Sequence, residues 1–416
     1  MKSRSKRAHG DGGIDSRGEN VHRLRYRVGG KRFTKTFHGT LPEARKELRT
    51  LISTGDAGKH VAPDKMTVGQ WIDEWIAVGA PGRKKKRVSE RTLERYSDLL
   101  RVHVKPVLGG RRLQALRATE IDKLYADMST AKKIAPRTQH HVHTVFSAAL
   151  STATRKKMLV VNPMDAVEQV PAVTHYEPED HPDIDPDDIG EGLTDVELAA
   201  LISGFRSSTI FPIVALAAAT GARRNELLAL RWTDLDVAEG TLRIERAWER
   251  TKKHGLRLKP PKTKRGLRTI DIDEATVSLL LKEREVHQRL CAGLPDGVGV
   301  DLSLIKLPSN ALMFPNPAGP SEAPAFTAPR LPGSVTQAFA RRAEALGFGN
   351  IRFHDLRGIH STALLDDGVP VHTVAQRIGD DPATLLRSYT KRRRSKRADA
   401  KLSAAIAGFA SGFLKP

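Results

Sequence analysis

The chain has 416 residues with 69 Lys or Arg against 48 Asp or Glu, a formal charge of +21 and a pI near 10.1. That length exceeds one ordinary domain, so two or three are expected, and a charge surplus of this size speaks of partners rather than fold, nucleic acid foremost. A single cysteine, Cys291, excludes an internal disulfide and a cysteine-rich metal site and suits a reducing cytosol. The basic start lacks the apolar run of a secretory signal, and no stretch approaches the roughly 18 apolar residues of a membrane span.

Residues 1–60 hold fifteen Lys or Arg against six Asp or Glu. From Val21, VHRLRYRV, Gly29-Gly30 and KRFTKTF form a hairpin signal with a two-residue turn. Pairing across that turn sets Tyr26 opposite Phe33, on a face shared with Leu24, Val28 and Phe37. The other face carries Arg23, Arg25, Arg27 and Arg32 with Thr34 and Thr36, and no acid. A helix over residues 41–53 can cover the apolar face. A small sheet with one arginine face has the shape of a DNA-groove reader, although charged strand faces also simply face water.

Helical periodicity begins at Thr67, where Val68, Trp71, Ile72 and Trp75 form one stripe. The basic run Arg83, Lys84, Lys85, Lys86 and Arg87 precedes a second helix opened by Ser89 and carrying Leu93, Tyr96, Leu99 and Leu100. Thr119 is placed as the cap of a third helix, and a long fourth starts at Pro136 and runs to Met158. Residues 65–173 therefore read as an all-α domain with basic segments at its helix ends. His140, His141 and His143 do not fall together on one helical face, which favours a polar surface over a metal site. Residues 174–192 then change character, with eight acids, three prolines and no Lys or Arg, as an interdomain linker would.

A third domain, residues 193–416, opens with a capping box at Thr194 and Glu197. A very apolar helix follows and breaks at Thr220-Gly221. Strand material at TLRIERAWER, LRLKP and GLRTIDI predicts a small antiparallel sheet, and residues 293–333 read as loops around a buried strand near Leu312–Phe314. Helices are expected over residues 334–346, 355–366, 371–378, 383–390 and 397–413. His354 and Arg357 stand one helical turn apart, so their side chains can converge on one anion.

Four short motifs, in order, carry a resemblance: T-G-A-R-R-N-E at 220–226, P-K-T-K at 261–264, H-D-L-R at 354–357 and L-L-R-S-Y ending at Tyr389. From about residue 190 onward the chain resembles the catalytic domain of the tyrosine recombinases, the phage-integrase family. The helical domain before it resembles that family's core-binding domain, and the N-terminal hairpin resembles the arm-binding domain of integrases from mobile elements. The fold implied is multidomain: a small β-sheet plus helix, an all-α core-binding domain, and a mixed α/β, mainly helical catalytic domain with a small antiparallel sheet. The two larger domains would close as a clamp around duplex DNA.

The resemblance also implies roles. Arg223 and Arg357 stand at the two family arginines, whose paired donors clamp phosphate oxygens as charge builds in the transition state. Arg224, beside Arg223, projects elsewhere, to backbone or solvent. Lys262 matches the lysine of a turn between strands and would give a proton to the departing 5′ oxygen, a task for which Lys264, two residues on, could substitute. His354 would donate to a non-bridging oxygen or help to take the tyrosine proton. Tyr389 is the nucleophile; a phenol of pKa about 10 needs cationic neighbours to attack as a phenolate. Glu226 fits an acidic position that orients its neighbours. Asp380 stands where the family usually has His or Trp; an ionised aspartate there repels a phosphate, but Asp380 can instead bind a basic neighbour, be protonated, or cap the helix that begins near Pro382, a duty for which Asp381 is better registered.

The 3′-phosphotyrosyl product retains the energy of the broken bond, so no ATP, metal or other cofactor is called for. The expected partners are double-stranded DNA at attachment sites, three further copies in a tetramer on DNA (a monomer when free) and DNA-bending accessory proteins, in the cytoplasm of a bacterial host at the nucleoid. Beyond Tyr389, KRRRSKR and an apolar-striped helix can dock on a neighbouring copy or on their own domain. Two other functions remain open at this point: an attachment-site binder without cleavage, for which Asp380 speaks, and a type IB topoisomerase-like enzyme. The target sequence, the direction of reaction and the type of mobile element are not written in the chain.

Overall fold

A computed structural model describes the chain except for residues 1–11, 57–60, 63, 83–86, 131–133, 172–192, 262–263, 296, 318–324 and 390–416. It divides into two compact units, residues 1–177 and 178–416. Both are mainly helical with small antiparallel sheets, so the chain is multidomain as its sequence indicates. No described helix is long and apolar enough to cross a membrane.

The N-terminal module is a three-stranded sheet, β1 (Gly13–Gly18), β2 (Val21–Val28) and β3 (Lys31–His38), with α1 (Leu41–Asp56) across one face. Gly29 and Gly30 both have positive φ, 55° and 79°, which a two-residue turn matching strand twist requires. That turn sets the expected register, Tyr26 opposite Phe33 and Arg27 opposite Arg32. Leu24 and Tyr26 are buried against Ala44 and Leu48 of α1. Arg23, Arg25, Arg27 and Arg32 are exposed together on the other face. One expectation fails there: β1 places Asp15 opposite Arg23, and its carboxylate accepts from Arg25 at 2.7 Å. The face is not acid-free, because GIDSRG, too polar to read as a strand, pairs along the open edge of β2.

The helical domain is built from α2 (Val68–Ala77), α3 (Glu90–Leu99), α4 (Lys105–Leu108), α5 (Ala118–Thr130) and α6 (Pro136–Arg155). Val68, Trp71, Ile72 and Trp75 are buried as their spacing predicts, among Leu124, Tyr125, Phe146 and Leu150. Ser89 caps α3 by accepting from the Thr92 amide. Thr119, by contrast, lies inside α5; Glu120 takes the cap's task by accepting from the Arg117 amide at 3.0 Å. The fourth helix stops at Arg155, before Met158, where Lys157 turns to φ 57°. His140, His141 and His143 contact the Pro171 carbonyl, Arg95 and the Tyr125 hydroxyl respectively, three separate partners. Arg87 is exposed, while Arg83, Lys84, Lys85 and Lys86, like the whole acidic stretch of residues 174–192, lie outside the described residues.

The second unit contains α7 (Asp195–Gly204), α8 (Phe211–Thr220), α9 (Arg224–Leu227), strands β4 (Leu235–Asp236), β5 (Thr241–Ile244), β6 (Ala247–Thr251), β7 (Gly255–Lys259) and β8 (Arg268–Asp271), then α10 (Glu274–Ala292), α11 (Pro332–Ala345), α12 (Asp355–Asp366), α13 (Val371–Ile378) and α14 (Pro382–Tyr389). The Thr194–Glu197 capping box is present. The expected single sheet is two: β4-β5-β8 in one, and β6-β7 as a separate hairpin. Leu312–Phe314 is buried but makes only one bridge, to Arg231, instead of a strand. The long helix α10 escapes a reading of the strands and loops on either side of it. The main core gathers α8, α10, α11 and the first turns of α12; a smaller cluster of Val374, Ala375, Ile378 and Leu385 packs α13 against α14.

Candidate active site

Four stretches distant in sequence meet at the C-terminal end of α8. Helix α8 ends because Gly221 adopts φ 63°; a Cβ there would come within 2.7 Å of the His360 ring. The chain turns, and Arg223 opens α9 with its amide bonded to Glu226. The Gly221 carbonyl, freed by the same turn, accepts from Arg357 Nη1 at 2.9 Å. The T-G-A-R motif thus closes one helix, starts the next and anchors the second arginine.

Arg357 is 7 % exposed. Its Nη1 also donates to the Ile378 carbonyl at 2.8 Å, and its Nη2 to Asp380 Oδ2 at 2.6 Å. Arg223 donates from Nη1 to Glu226 Oε1 at 2.9 Å and from Nη2 to Asp380 Oδ1 at 3.0 Å. One carboxylate therefore joins both guanidiniums, one oxygen to each. Burial pulls the Arg357 pKa down and Arg223 acts in the same sense, while Asp380 opposes them; the guanidinium remains charged. Of the readings open to Asp380, binding to basic neighbours is the one found: both arginines hold it, and it does not cap α14. Asp381 does, accepting from the Ala383 amide at 3.0 Å.

Glu226 is 3 % exposed, yet its pKa is lowered. Desolvation works to raise it, and is outweighed by Arg268, whose Nη2 donates to Oε2 at 2.9 Å, together with Arg223. Arg268, the first residue of β8, is the site residue that sequence reasoning missed. A charged residue beginning a strand reads as solvent-facing, and the only available hint was that a buried Glu226 would need a second cation.

His354 sits at the N-terminus of α12, three residues before Arg357, and lines with it a cleft of about 270 Å³ that also takes in Asp380 and Leu385. Desolvation, then Arg357, lowers the His354 pKa, favouring a neutral ring with one donor and one acceptor nitrogen. Leu385 anchors α14, whose last residue is Tyr389. The Tyr389 side chain, Lys262, the Lys264 side chain, and the basic run and apolar helix after Tyr389 lie outside the described residues. Arg224 is not turned to backbone or solvent: it donates to the Thr336 hydroxyl of α11 and to Asn225.

With this geometry in view, the comparisons with known proteins are decisive. A family model described as "Phage integrase family" matches residues 203–396, and one described as "Phage integrase, N-terminal SAM-like domain" matches residues 67–129. The chain belongs to the phage integrase family of tyrosine recombinases. An integrase of Streptomyces ambofaciens is 26% identical over 303 residues, 69% of this chain and 72% of that protein. A XerC-like tyrosine recombinase of Caldanaerobacter subterraneus is 22% identical over 379 residues, 87% of this chain and 90% of that one. Among solved structures, the Tn1549 transposon integrase in complex with a circular intermediate DNA has the same fold (TM-score 0.60, 17% identity, 82% of this chain and 99% of that one). A lambda integrase dimer bound to a core site also shares it (TM-score 0.53, 17% identity, 95% and 98%). This tyrosine recombinase is accordingly an enzyme of site-specific DNA strand breakage and rejoining.

Proposed function

We propose that Arg223, Arg357 and His354 hold the scissile phosphate while Tyr389 attacks it, in the integration or excision of a mobile element. The observation that carries this reading is the convergence of the two guanidiniums on a single anion, the Asp380 carboxylate. In the reaction the Tyr389 phenolic oxygen bonds to phosphorus and the bond to the 5′ oxygen breaks. The phenolic proton passes towards His354, and Lys262 supplies one to the 5′ oxygen as it leaves. The 3′-phosphotyrosyl ester formed is then open to attack by a 5′ hydroxyl from a partner duplex. The arginines neutralise the non-bridging oxygens, so neither metal nor nucleotide takes part. Glu226 fixes Arg223 from behind.

The exposed Arg23, Arg25, Arg27 and Arg32 make the N-terminal sheet a second DNA-reading module, and Arg83, Lys84, Lys85, Lys86 and Arg87 add phosphate contacts in the helical domain. The domains are residues 1–60, 65–173 and 193–416, the last two joined by the acidic stretch of 174–192. The enzyme works in a bacterial host as a tetramer assembled on attachment-site DNA from free monomers, with DNA-bending proteins assisting. A lambda integrase tetramer bound to a Holliday junction, of the same fold at TM-score 0.52, supports the tetrameric arrangement.

The direct test mixes two duplexes carrying the attachment sites with the protein in a chelator and without ATP. Recombinant strands are expected, and a supercoiled plasmid lacking the sites should stay supercoiled. Relaxation of that plasmid without strand exchange would favour the topoisomerase-like reading.

Asp380 gives a further expected result. Asp380→Asn keeps the side chain's shape but removes a negative charge beside the phosphate position. DNA affinity should rise by roughly tenfold, about 1.4 kcal/mol, in a binding titration at fixed salt. Unchanged affinity would mean that the carboxylate withdraws from both arginines before DNA arrives.

A further inference from the structure

We propose that Arg268 is a positioning residue for strand cleavage, acting through Glu226 on Arg223. The inference rests on the reading of Arg223 as a phosphate clamp and extends it one residue outward. The Arg268 side chain is only 4 % exposed, and three chain segments meet on its guanidinium. Nη2 donates to Glu226 Oε2 at 2.9 Å, Nε to the Arg377 carbonyl at 2.8 Å and Nη1 to the Gly266 carbonyl at 3.1 Å.

Each contact leads towards the reacting groups. Glu226, gripped from one side by Arg268, bonds the Arg223 guanidinium and amide from the other. Without Arg268, a buried carboxylate would keep one cationic partner, and the Arg223 head would lose the fixed wall it leans on. Arg377 and the following turn lead through Gly379, whose carbonyl accepts from Arg223 at 3.3 Å, to Asp380. The packing at that turn is tight: a Cβ on Gly379 would lie 2.9 Å from Arg268 Nη1. Gly266 belongs to the connection between β7 and β8 on which Lys262 lies. A planar fork reaches these three acceptors from three separate nitrogens, whereas the three donors of an ammonium radiate from one nitrogen and cannot span them. Arg268 is thus built to fix the direction of Arg223 rather than to touch DNA.

The test compares cleavage of an ordinary scissile phosphodiester with that of a methylphosphonate at the same position, in which one charged non-bridging oxygen is replaced by a neutral methyl group. An arginine that serves to neutralise that charge, or a residue that aims it, is needed less on the neutral substrate. In the full-length protein, R268M is expected to slow covalent adduct formation on the phosphodiester by roughly 10²-fold, the size of effect seen when one transition-state donor is lost. On the methylphosphonate the deficit should shrink to within about fivefold of wild type, as it should for R223A, since the missing donor acts on charge that is no longer there. If R268M does not fold, R268K, which keeps a cation beside Glu226 without the fork, carries the same comparison. An equal deficit on both substrates would mean a merely structural role and overturn the proposal, as would cleavage at the wild-type rate on the phosphodiester. A wild-type protein that forms no adduct on either substrate would instead overturn the underlying reading of the site, and this inference with it.

Discussion

Arg357→Ala is expected to lower the rate of strand cleavage by roughly 10³-fold, at the upper end of what one lost oxyanion donor costs. Arg357 is nearly sealed from solvent, and its Nη1 is committed to the Gly221 and Ile378 carbonyls. Those bonds leave the Nη2 edge pointing at Asp380, where a phosphate oxygen would compete. Alanine removes the phosphate donor and also strands two carbonyls and part of a carboxylate, so stability should fall by about 2–4 kcal/mol. Arg357→Lys separates the two effects. Lysine keeps the charge and can satisfy one or two acceptors, so much of the stability should return, but not the planar geometry, so cleavage should stay low. Thermal unfolding and single-turnover cleavage on the same preparations provide the check. Cleavage restored by lysine to near the wild-type rate would show that charge alone matters there.

Tyr389→Phe should abolish the covalent product altogether while leaving binding to attachment-site DNA within about twofold, because losing one neutral hydroxyl removes none of the cationic phosphate contacts that dominate affinity. Its helix is well anchored: Leu385 is buried with Val374, Ala375 and Ile378, and Asp381 caps the first turn. Arg265 pairs with Asp381, so the start of α14 is tied to the connection that carries Lys262. Phenylalanine keeps the ring and differs only by the hydroxyl, which leaves the missing nucleophile as the difference. Residual adduct in this variant would point to another nucleophile.

Much of this molecule was legible before its structure. The hairpin register followed from two glycines and an alternating pattern, and the Val68–Trp75 stripe from helical spacing. Both signals are local, and both survive packing. The failures share a different cause. Strand β1 is polar and becomes a strand only because β2 offers an open edge. The split between β4-β5-β8 and β6-β7 depends on where each strand finds its partner, which composition does not encode. At the site, Arg223, His354 and Arg357 stand together as their motifs imply. For Asp380 the sequence left several readings open, a basic neighbour among them, and contacts to Arg223 and Arg357, both far away in sequence, decide it; the place of Arg268 was hidden because it acts through the distant Glu226.

The central claim is that the hydroxyl of Tyr389 takes the DNA strand. The measurement that tests it most directly traps the protein on a nicked attachment-site substrate, digests the adduct with a protease and identifies the nucleotide-bearing peptide by mass spectrometry. The account predicts a phosphodiester-linked fragment on Tyr389, at the 3′ end of the cut strand, and none from Tyr389→Phe. A fragment on any other residue, or an attachment through the 5′ end, would contradict it.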